Sequence, residues 1–140
     1  RDFCLSRGLG DVYKRQINML CDAPTNYLKE EECTKFIAAI PTVWNQTLPI
    51  SGKVGEHIVM AREKDGIWYV GGLTDWKERD VEVDLSFLGD GEFNAEIFRD
   101  GINADRVGKD YKREVIRVSA NKKLNLHMAP GGGFVVRITK

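Results

Sequence analysis

The sequence predicts a mainly β protein, an antiparallel β-sandwich of about seven to eight strands preceded by one strand and one helix. Two observations carry this prediction. Short runs of alternating apolar and polar residues follow one another from Trp44 to the C-terminus, as expected of strands with one buried face. Asp-Gly pairs, which are strong turn signals, separate several of these runs: Asp65-Gly66, Asp90-Gly91 and Asp100-Gly101.

The first sixteen residues, RDFCLSRGLGDVYKRQ, show no helical or strand periodicity and are excluded from the fold prediction. Residues 6–16, SRGLGDVYKRQ, resemble the translated library-adapter sequence that recurs at the ends of assembled environmental DNA. We therefore interpret residues 1–16 as a non-native or disordered tail. The alternative is a basic tail that binds a partner.

The segment before the sandwich has the pattern of an α/β unit. The run Ile17–Asp22 is short, apolar and bounded by turn residues, which favours a buried strand. Apolar residues at helical spacing then predict one helix of about three turns over Lys29–Ile40, with Thr25 and Asn26 as capping candidates and Pro41 ending it. One strand and one helix cannot close a core, so they are interpreted as the tail of a preceding α/β domain.

Within the predicted sandwich, the central stretch is IWYVGGLTDW, which carries two of the three tryptophans. It forms a predicted hairpin of Glu56–Arg62 with Ile67–Leu73 around the Asp65-Gly66 turn. Five further strands are predicted after it: Val81–Leu85, Phe93–Phe98, Glu114–Ser119, Leu124–Met128 and Phe134–Ile138.

Charge and composition exclude several classes of protein. The 21 basic and 21 acidic residues balance, which argues against a nucleic-acid binder. No apolar run approaches the roughly 20 residues of a membrane span. The three cysteines, Cys4, Cys21 and Cys33, are odd in number and form no CxxC pair, so they are interpreted as free thiols and not as a disulfide framework or zinc site.

Other residues that could act in catalysis or bind a ligand have structural explanations. The two histidines, His57 and His127, lack carboxylates or cysteines at catalytic or metal-ligand spacing, and exposed or hydrogen-bonded strand histidines are expected. The segment DGINAD at residues 100–105 lacks the spacing of an EF-hand, which favours turn-forming Asx residues over calcium ligands. Residues 131–133, Gly-Gly-Gly, precede a strand and not a helix, so a turn or close backbone approach is predicted instead of an anion cradle.

Aromatic residues offer a choice between two roles. Exposed aromatic rings on a sandwich can stack on sugars, and Trp44, Tyr69 and Trp76 are the candidates for such a platform or for a domain interface. Because Trp68 and Tyr69 point to opposite faces of one strand, only part of the aromatic set can share a surface. Core or interface packing is favoured, and sugar stacking stays open as the alternative.

Several blocks of sequence, in order, resemble the C-terminal end of glycoside hydrolase family 97, which comprises bacterial α-glucosidases and α-galactosidases. The blocks are INMLCDAPTNY, FIAAIPTVWNQT, GKVGEHIVMAR, WYVGGLTDW, AEIFRDGINAD and MAPGGGFVVRI. Family members have an N-terminal β-super-sandwich, a catalytic (β/α)8 barrel and a C-terminal β-sandwich. The resemblance therefore implies that residues 17–42 end the barrel, as its last strand exit and final helix, and that residues 43–140 form the C-terminal sandwich.

The same resemblance places the catalytic and calcium-binding carboxylates upstream of Ile17, so no catalytic residue, metal ligand or cofactor is expected in this chain. Hydrolysis of a glycosidic bond needs two positioned carboxyl groups, and the chain alone is predicted to be inactive. Loops after barrel strands build the catalytic face of such enzymes. Asp22, Asn26 and Tyr27 are therefore predicted to be substrate-adjacent, with loop capping and domain packing as the alternative.

The expected role is that of an accessory β-sandwich that packs on the catalytic barrel of its own enzyme and supports formation of a homo-oligomer. A carbohydrate-binding β-sandwich module is the alternative. By resemblance, the parent enzyme would act on α-linked oligosaccharides, contain calcium and be periplasmic or secreted. The residues present do not distinguish α-glucosides from α-galactosides, or inverting from retaining chemistry.

Overall fold

The computed structural model describes residues 23–140, which divide into two compact units at the junction between Val43 and Trp44. The predicted tail at residues 1–16 and the predicted strand Ile17–Asp22 lie outside the described residues. The order of elements is α1 (Pro24–Lys29), α2 (Glu31–Ala38), β1 (Gln46–Lys53), β2 (His57–Lys64), β3 (Ile67–Thr74), β4 (Arg79–Asp84), β5 (Glu92–Asp100), β6 (Tyr111–Ser119), β7 (Lys123–Met128) and β8 (Gly133–Thr139).

The described part of the first unit, residues 23–43, contains two short helices where one was predicted. Pro24 occupies the first helical turn, where its fixed φ angle favours initiation, so Thr25 and Asn26 lie inside α1 and do not cap it. The helix ends at Glu30, whose backbone (φ −113°, ψ 47°) is not helical. At this break the hydroxyl of Thr34 donates to the Tyr27 carbonyl over 3.2 Å, replacing a helical N–H donor. The single helix over Lys29–Ile40 was therefore wrong in its bounds and its continuity.

The second unit is the predicted antiparallel sandwich, with eight strands in two sheets. Six strands form one sheet in the order β1-β2-β3-β8-β5-β6, and β4 pairs with β7 in a second, two-stranded sheet. The hairpin of β2 and β3 turns at Asp65 and Gly66, whose positive φ angles of 51° and 83° suit the tight turn that an Asp-Gly pair predicts. All seven predicted strands are present.

Strand β1 was not predicted, because the alternation in its sequence QTLPISGK is limited to Leu48 and Ile50, with Pro49 between them. It lies at the edge of the large sheet, where proline is tolerated, and its register with β2 shifts between Pro49 and Ser51.

The core lies between the two sheets. Side chains that alternate along each strand point inward, and the fully buried ones come from both sheets: Val59, Val70, Val83, Leu85, Leu88, Met128, Val136 and Ile138. Trp68 packs on Phe87 at one end of this core, with ring centroids 4.6 Å apart. Neither helix in the described part of the chain has the length and hydrophobicity of a membrane span.

Candidate interaction surface

Strand β3 carries large apolar side chains on both of its faces. Trp68 and Val70 point into the core, whereas Tyr69 points to the outer face of the six-stranded sheet and is nevertheless buried. The ring of Trp44 covers Tyr69 edge-on, with centroids 5.4 Å apart and an interplanar angle of 72°. The guanidinium of Arg62 lies 5.6 Å from the Trp44 ring. Two of the three candidate aromatic residues, Trp44 and Tyr69, thus pack on each other and do not present a row of open rings.

Beyond this aromatic pair, the outer face combines exposed apolar side chains (Ile58, Leu73 and Val115) with charged ones that are predominantly basic. Glu96 lies near its centre, where Oε1 accepts bonds of 2.9 Å and 2.6 Å from Nε and Nη2 of Arg113, and Nη2 of Arg137 lies 2.6 Å from Oε2. Strand alternation and register place five basic and three acidic side chains on this face: Arg62, Lys64, Arg113, Arg117 and Arg137 with Glu92, Glu96 and Asp100.

The outward face of the two-stranded sheet is entirely polar. It presents three acidic side chains, one lysine, one asparagine and one histidine: Asp80, Glu82, Asp84, Lys123, Asn125 and His127. Lys123 pairs with Glu82 over 2.6 Å, and Nδ1 of His127 lies 2.8 Å from Oδ1 of Asp80. This face has the composition of a solvated surface.

A third surface lies at one end of the six-stranded sheet, and it is apolar. Val54, Ile58, Leu73 and Trp76 are all exposed there, Trp76 to 88%. Ile58 and Leu73 are register partners on β2 and β3, and with Val54 they line an open depression of about 490 Å³. We call these four residues the apolar end. Sequence analysis singled out only Trp76 among them.

The loop between β7 and β8 connects Trp76 to the rest of the apolar end. A Cβ atom at Gly131 would lie 3.3 Å from Cζ3 of Trp76, and one at Gly133 would lie 3.2 Å from Cδ2 of Leu73. Backbone bonds from Gly131 to the Asp75 carbonyl (2.7 Å) and from Thr74 to the Gly132 carbonyl (3.1 Å) hold the loop beside β3. The β7–β8 loop therefore runs beside both Leu73 and Trp76.

Asp100 fixes the conformation of the same loop. Its Oδ2 accepts hydrogen bonds from the backbone amides of Ala129 (2.9 Å) and Gly133 (2.7 Å). A side chain at Gly132 would overlap this carboxylate, and Gly131 has a positive φ of 71°. The prediction of a turn or close backbone approach at residues 131–133 is confirmed.

Charged side chains of both signs surround the apolar end. Glu56 pairs with Lys53 over 2.5 Å and with Arg79 over 3.3 Å, and Arg79 also lies 3.3 Å from Asp75. The hydrogen bond from Lys53 is the main reason that the pKa of Glu56 is below its ordinary value. For Asp75, the backbone amide of Lys77 is the main donor that lowers the pKa of the carboxyl group.

No catalytic or metal constellation appears within residues 23–140. Nε2 of His57 lies 3.0 Å from the Ser51 hydroxyl, and His127 is paired with Asp80, in line with the hydrogen-bonded histidines expected from the sequence. In the DGINAD segment, the Asp100 carboxylate is engaged by backbone amides, and Asn103 donates its own amide to Asp110 over 2.7 Å. Among the described residues, no group of three or more His, Cys, Asp or Glu side chains is placed to hold a metal ion.

The predicted substrate-adjacent residues are not brought to this surface. Asn26 and Tyr27 lie within α1 of the first unit, where their carbonyls accept bonds from Glu30 and Thr34. Asp22 lies outside the described residues. Their proximity to a substrate stays a prediction.

Taken together, a two-sheet sandwich with no catalytic constellation in its described part and with one exposed apolar end belongs to the class of accessory domains that contact other protein surfaces. The chain belongs to the family described as "Glycosyl-hydrolase 97 C-terminal, oligomerisation", whose model matches residues 43–139. The resemblance to glycoside hydrolase family 97 seen in the sequence is thereby confirmed.

Two curated relatives extend this assignment. The chain is 53% identical over 135 residues to a "Retaining alpha-galactosidase" of Bacteroides thetaiotaomicron, a match that covers 96% of this chain and 20% of the relative. It is 28% identical over 127 residues to a "Probable retaining alpha-galactosidase" of Streptomyces bingchenggensis, covering 91% of this chain and 19% of the relative. The chain thus spans about a fifth of the length of these relatives.

Solved structures share the fold of this chain. A glycoside hydrolase family 97 enzyme from Pseudoalteromonas sp. strain K8 in complex with acarbose superposes with a TM-score of 0.81 at 38% identity, over 84% of this chain and 19% of that one. A β-arabinopyranosidase shares the fold with a TM-score of 0.67 at 24% identity, over 86% of this chain and 18% of that one.

Proposed function

We propose that residues 44–140 are the domain through which copies of a family-97 glycoside hydrolase associate, and that they also pack on the catalytic barrel of their own enzyme. The observation that carries this proposal is the exposed apolar end, in a chain whose family is described by oligomerisation. The buried second face of β3, with Tyr69 beneath Trp44, supports a packing role over a row of sugar-stacking rings.

The parent enzyme, in this proposal, is a retaining α-galactosidase acting on α-linked oligosaccharides. Support comes from the identity of 53% to a retaining α-galactosidase, against 38% to the family-97 structure with bound acarbose. By the family resemblance, the two catalytic carboxylates that glycoside hydrolysis needs would lie upstream of this chain. The chain alone is expected to be inactive.

The calcium implied by the family resemblance does not fit residues 23–140, since the described side chains include no cluster able to hold a metal ion. We assign calcium to the upstream part of the parent enzyme. Export of the parent to the periplasm or the medium is likewise proposed from the family resemblance.

A chimera tests the assembly role in an active enzyme. Residues 23–140 would replace the corresponding C-terminal fifth of the Bacteroides thetaiotaomicron relative, and sedimentation and hydrolysis of an aryl α-galactoside would be measured. We expect the chimera to hydrolyse the substrate and to associate as the unmodified relative does, whereas a version without the sandwich loses association. A folded chimera that stays monomeric while the relative associates would contradict the proposal.

Sugar binding is a second candidate role, because the exposed ring of Trp76 beside the depression could stack on a sugar. Electrophoresis of the chain through gels containing starch or galactomannan tests it. Retardation that the Trp76→Ala variant abolishes would support sugar binding, and equal mobility with and without polysaccharide would contradict it.

A further inference from the structure

We propose that the apolar end formed by Val54, Ile58, Leu73 and Trp76 binds the same surface of a second copy of this chain, in a twofold-symmetric dimer. The inference rests on the association role proposed above and names the surface and the partner for it.

The first argument is the amount of apolar side chain left in water at one place. The exposed fractions are 48% for Ile58, 65% for Leu73, 88% for Trp76 and essentially complete for Val54. Ile58 pairs with Leu73, and these two residues and Val54 line one depression. Trp76 lies against Gly131 of the β7–β8 loop, whose Gly133 lies beside Leu73. Exposed apolar surface of this kind marks protein contact sites, and tryptophan is the residue type most enriched at their energetic centres.

The second argument is charge. The two turns that frame the apolar end contribute three basic and three acidic side chains: Lys53, Lys77, Arg79, Glu56, Asp75 and Glu78. Several of these already form ion pairs within one copy. In a twofold dimer each surface meets itself, so a neutral and internally paired rim adds no net repulsion. The part of the outer face that lies away from Ile58 and Leu73 carries five basic and three acidic side chains, and this net positive charge would instead repel its own copy.

The third argument is that the other surfaces of the sandwich are protected against self-association. Edge strand β1 contains Pro49 and a register shift, and edge strand β6 carries Lys112, Arg113 and Arg117. Proline with a register shift and charged side chains on an edge strand both commonly prevent edge-to-edge pairing of sheets. The outward face of the two-stranded sheet presents no apolar side chain, so docking it on the basic face of a neighbour would rest on charge alone.

Sedimentation of the complete 140-residue chain, under reducing conditions and between about 5 and about 200 µM, tests the inference. The variant Leu73→Asp introduces a charge at the apolar end. The matched control is Val115→Asp, because Val115 is 63% exposed, close to the value for Leu73, but lies on edge strand β6. We expect the wild-type chain and Val115→Asp to dimerise equally, and Leu73→Asp to raise the dimer dissociation constant at least about tenfold. Trp76→Ala, in a loop, provides a second variant should Leu73→Asp fail the check of fold by circular dichroism.

The outcomes separate this inference from the role on which it rests. A wild-type chain that stays monomeric over the whole range overturns both. If Leu73→Asp and Trp76→Ala leave the wild-type dimer unchanged, or Val115→Asp weakens it equally, the apolar end is not the dimer interface. The proposed association role would still stand in that case. Persistence of the dimer in about 1 M NaCl supports apolar contact, whereas dissociation there points to the charged faces and overturns the inference.

Discussion

Gly72 and Phe134 occupy facing positions on β3 and β8, and the ring of Phe134 fills the space that a side chain at residue 72 would need. Phe134 is itself buried in the core, so it cannot move aside without disturbing its neighbours. The preceding residue, Gly71, lies on the other face of β3, where no atom comes within 4 Å of a Cβ position. Position 72 therefore has no room for a side chain, whereas the adjacent position 71 does.

The first prediction compares alanine substitutions at Gly72 and Gly71. Gly72→Ala is expected to lower the free energy of unfolding by about 1–3 kcal/mol, because the added methyl group overpacks the core against Phe134. Gly71→Ala is the matched control and should leave stability unchanged or raise it by up to about 1 kcal/mol, since alanine restricts the unfolded chain more than glycine does. Urea denaturation of both variants measures the difference. Equal effects of the two substitutions would contradict the proposed role of Phe134.

The second prediction concerns the carboxylate of Asp100. Asp100→Ala leaves the amides of Ala129 and Gly133 without their acceptor, and Ala129 is buried, so we expect a loss of about 2–3 kcal/mol. Asp90→Ala, at an exposed turn, should change stability by less than about 0.5 kcal/mol. Hydrogen exchange adds a local measurement: the Gly133 amide should exchange faster in Asp100→Ala. Unchanged exchange of that amide would argue against the hydrogen bond.

The strands of the sandwich could be predicted where a short stretch of sequence specifies a turn or a buried face by itself. Asp65-Gly66 specifies a tight turn by itself, and alternation within β4, β7 and β8 identifies their buried residues. Strand β1 was missed because its alternation is limited to Leu48 and Ile50 and is interrupted by Pro49. The break at Glu30 was missed because the side chain of Thr34, four residues later, satisfies the carbonyl that a continuous helix would have used.

The apolar end was not predictable for a different reason. Strands β2 and β3 carry apolar residues on both faces, so alternation does not show that Ile58 and Leu73 point away from the core. Only the register between these strands pairs the two side chains, and only the fold of the distant β7–β8 loop joins them to Trp76. Trp76 was singled out only as one of the aromatic residues that could stack on a sugar or line a domain interface.

The third prediction tests the charged network on the outer face of the six-stranded sheet. Glu96→Gln removes the negative charge that Arg113 and Arg137 share, and the Glu96 side chain is only 12% exposed, so we expect a loss of about 1–3 kcal/mol. Glu92→Gln on the same strand and face is the control. Its partner Arg117 is 3.9 Å away and both side chains are largely exposed, so the loss should stay below about 0.5 kcal/mol. A Glu96 variant as stable as the Glu92 variant would show that the network contributes nothing.

The fourth prediction is a dependence of dimerisation on pH. Hydrogen bonds from Lys53 and from the Lys77 amide lower the pKa values of Glu56 and Asp75, respectively. Both carboxylates are therefore charged at any pH above their ordinary pKa values, and they become protonated only when the pH falls below those values. Protonation of Glu56 and Asp75 removes two of the three negative charges of the rim, so each copy gains a net positive rim and the two rims repel each other. Sedimentation between about pH 5 and about pH 3 should show the dimer weakening at the acid end of that range. The double variant Glu56→Gln, Asp75→Asn should dimerise weakly already at pH 7, and a folded double variant that dimerises like the wild type would show that the rim charges are irrelevant.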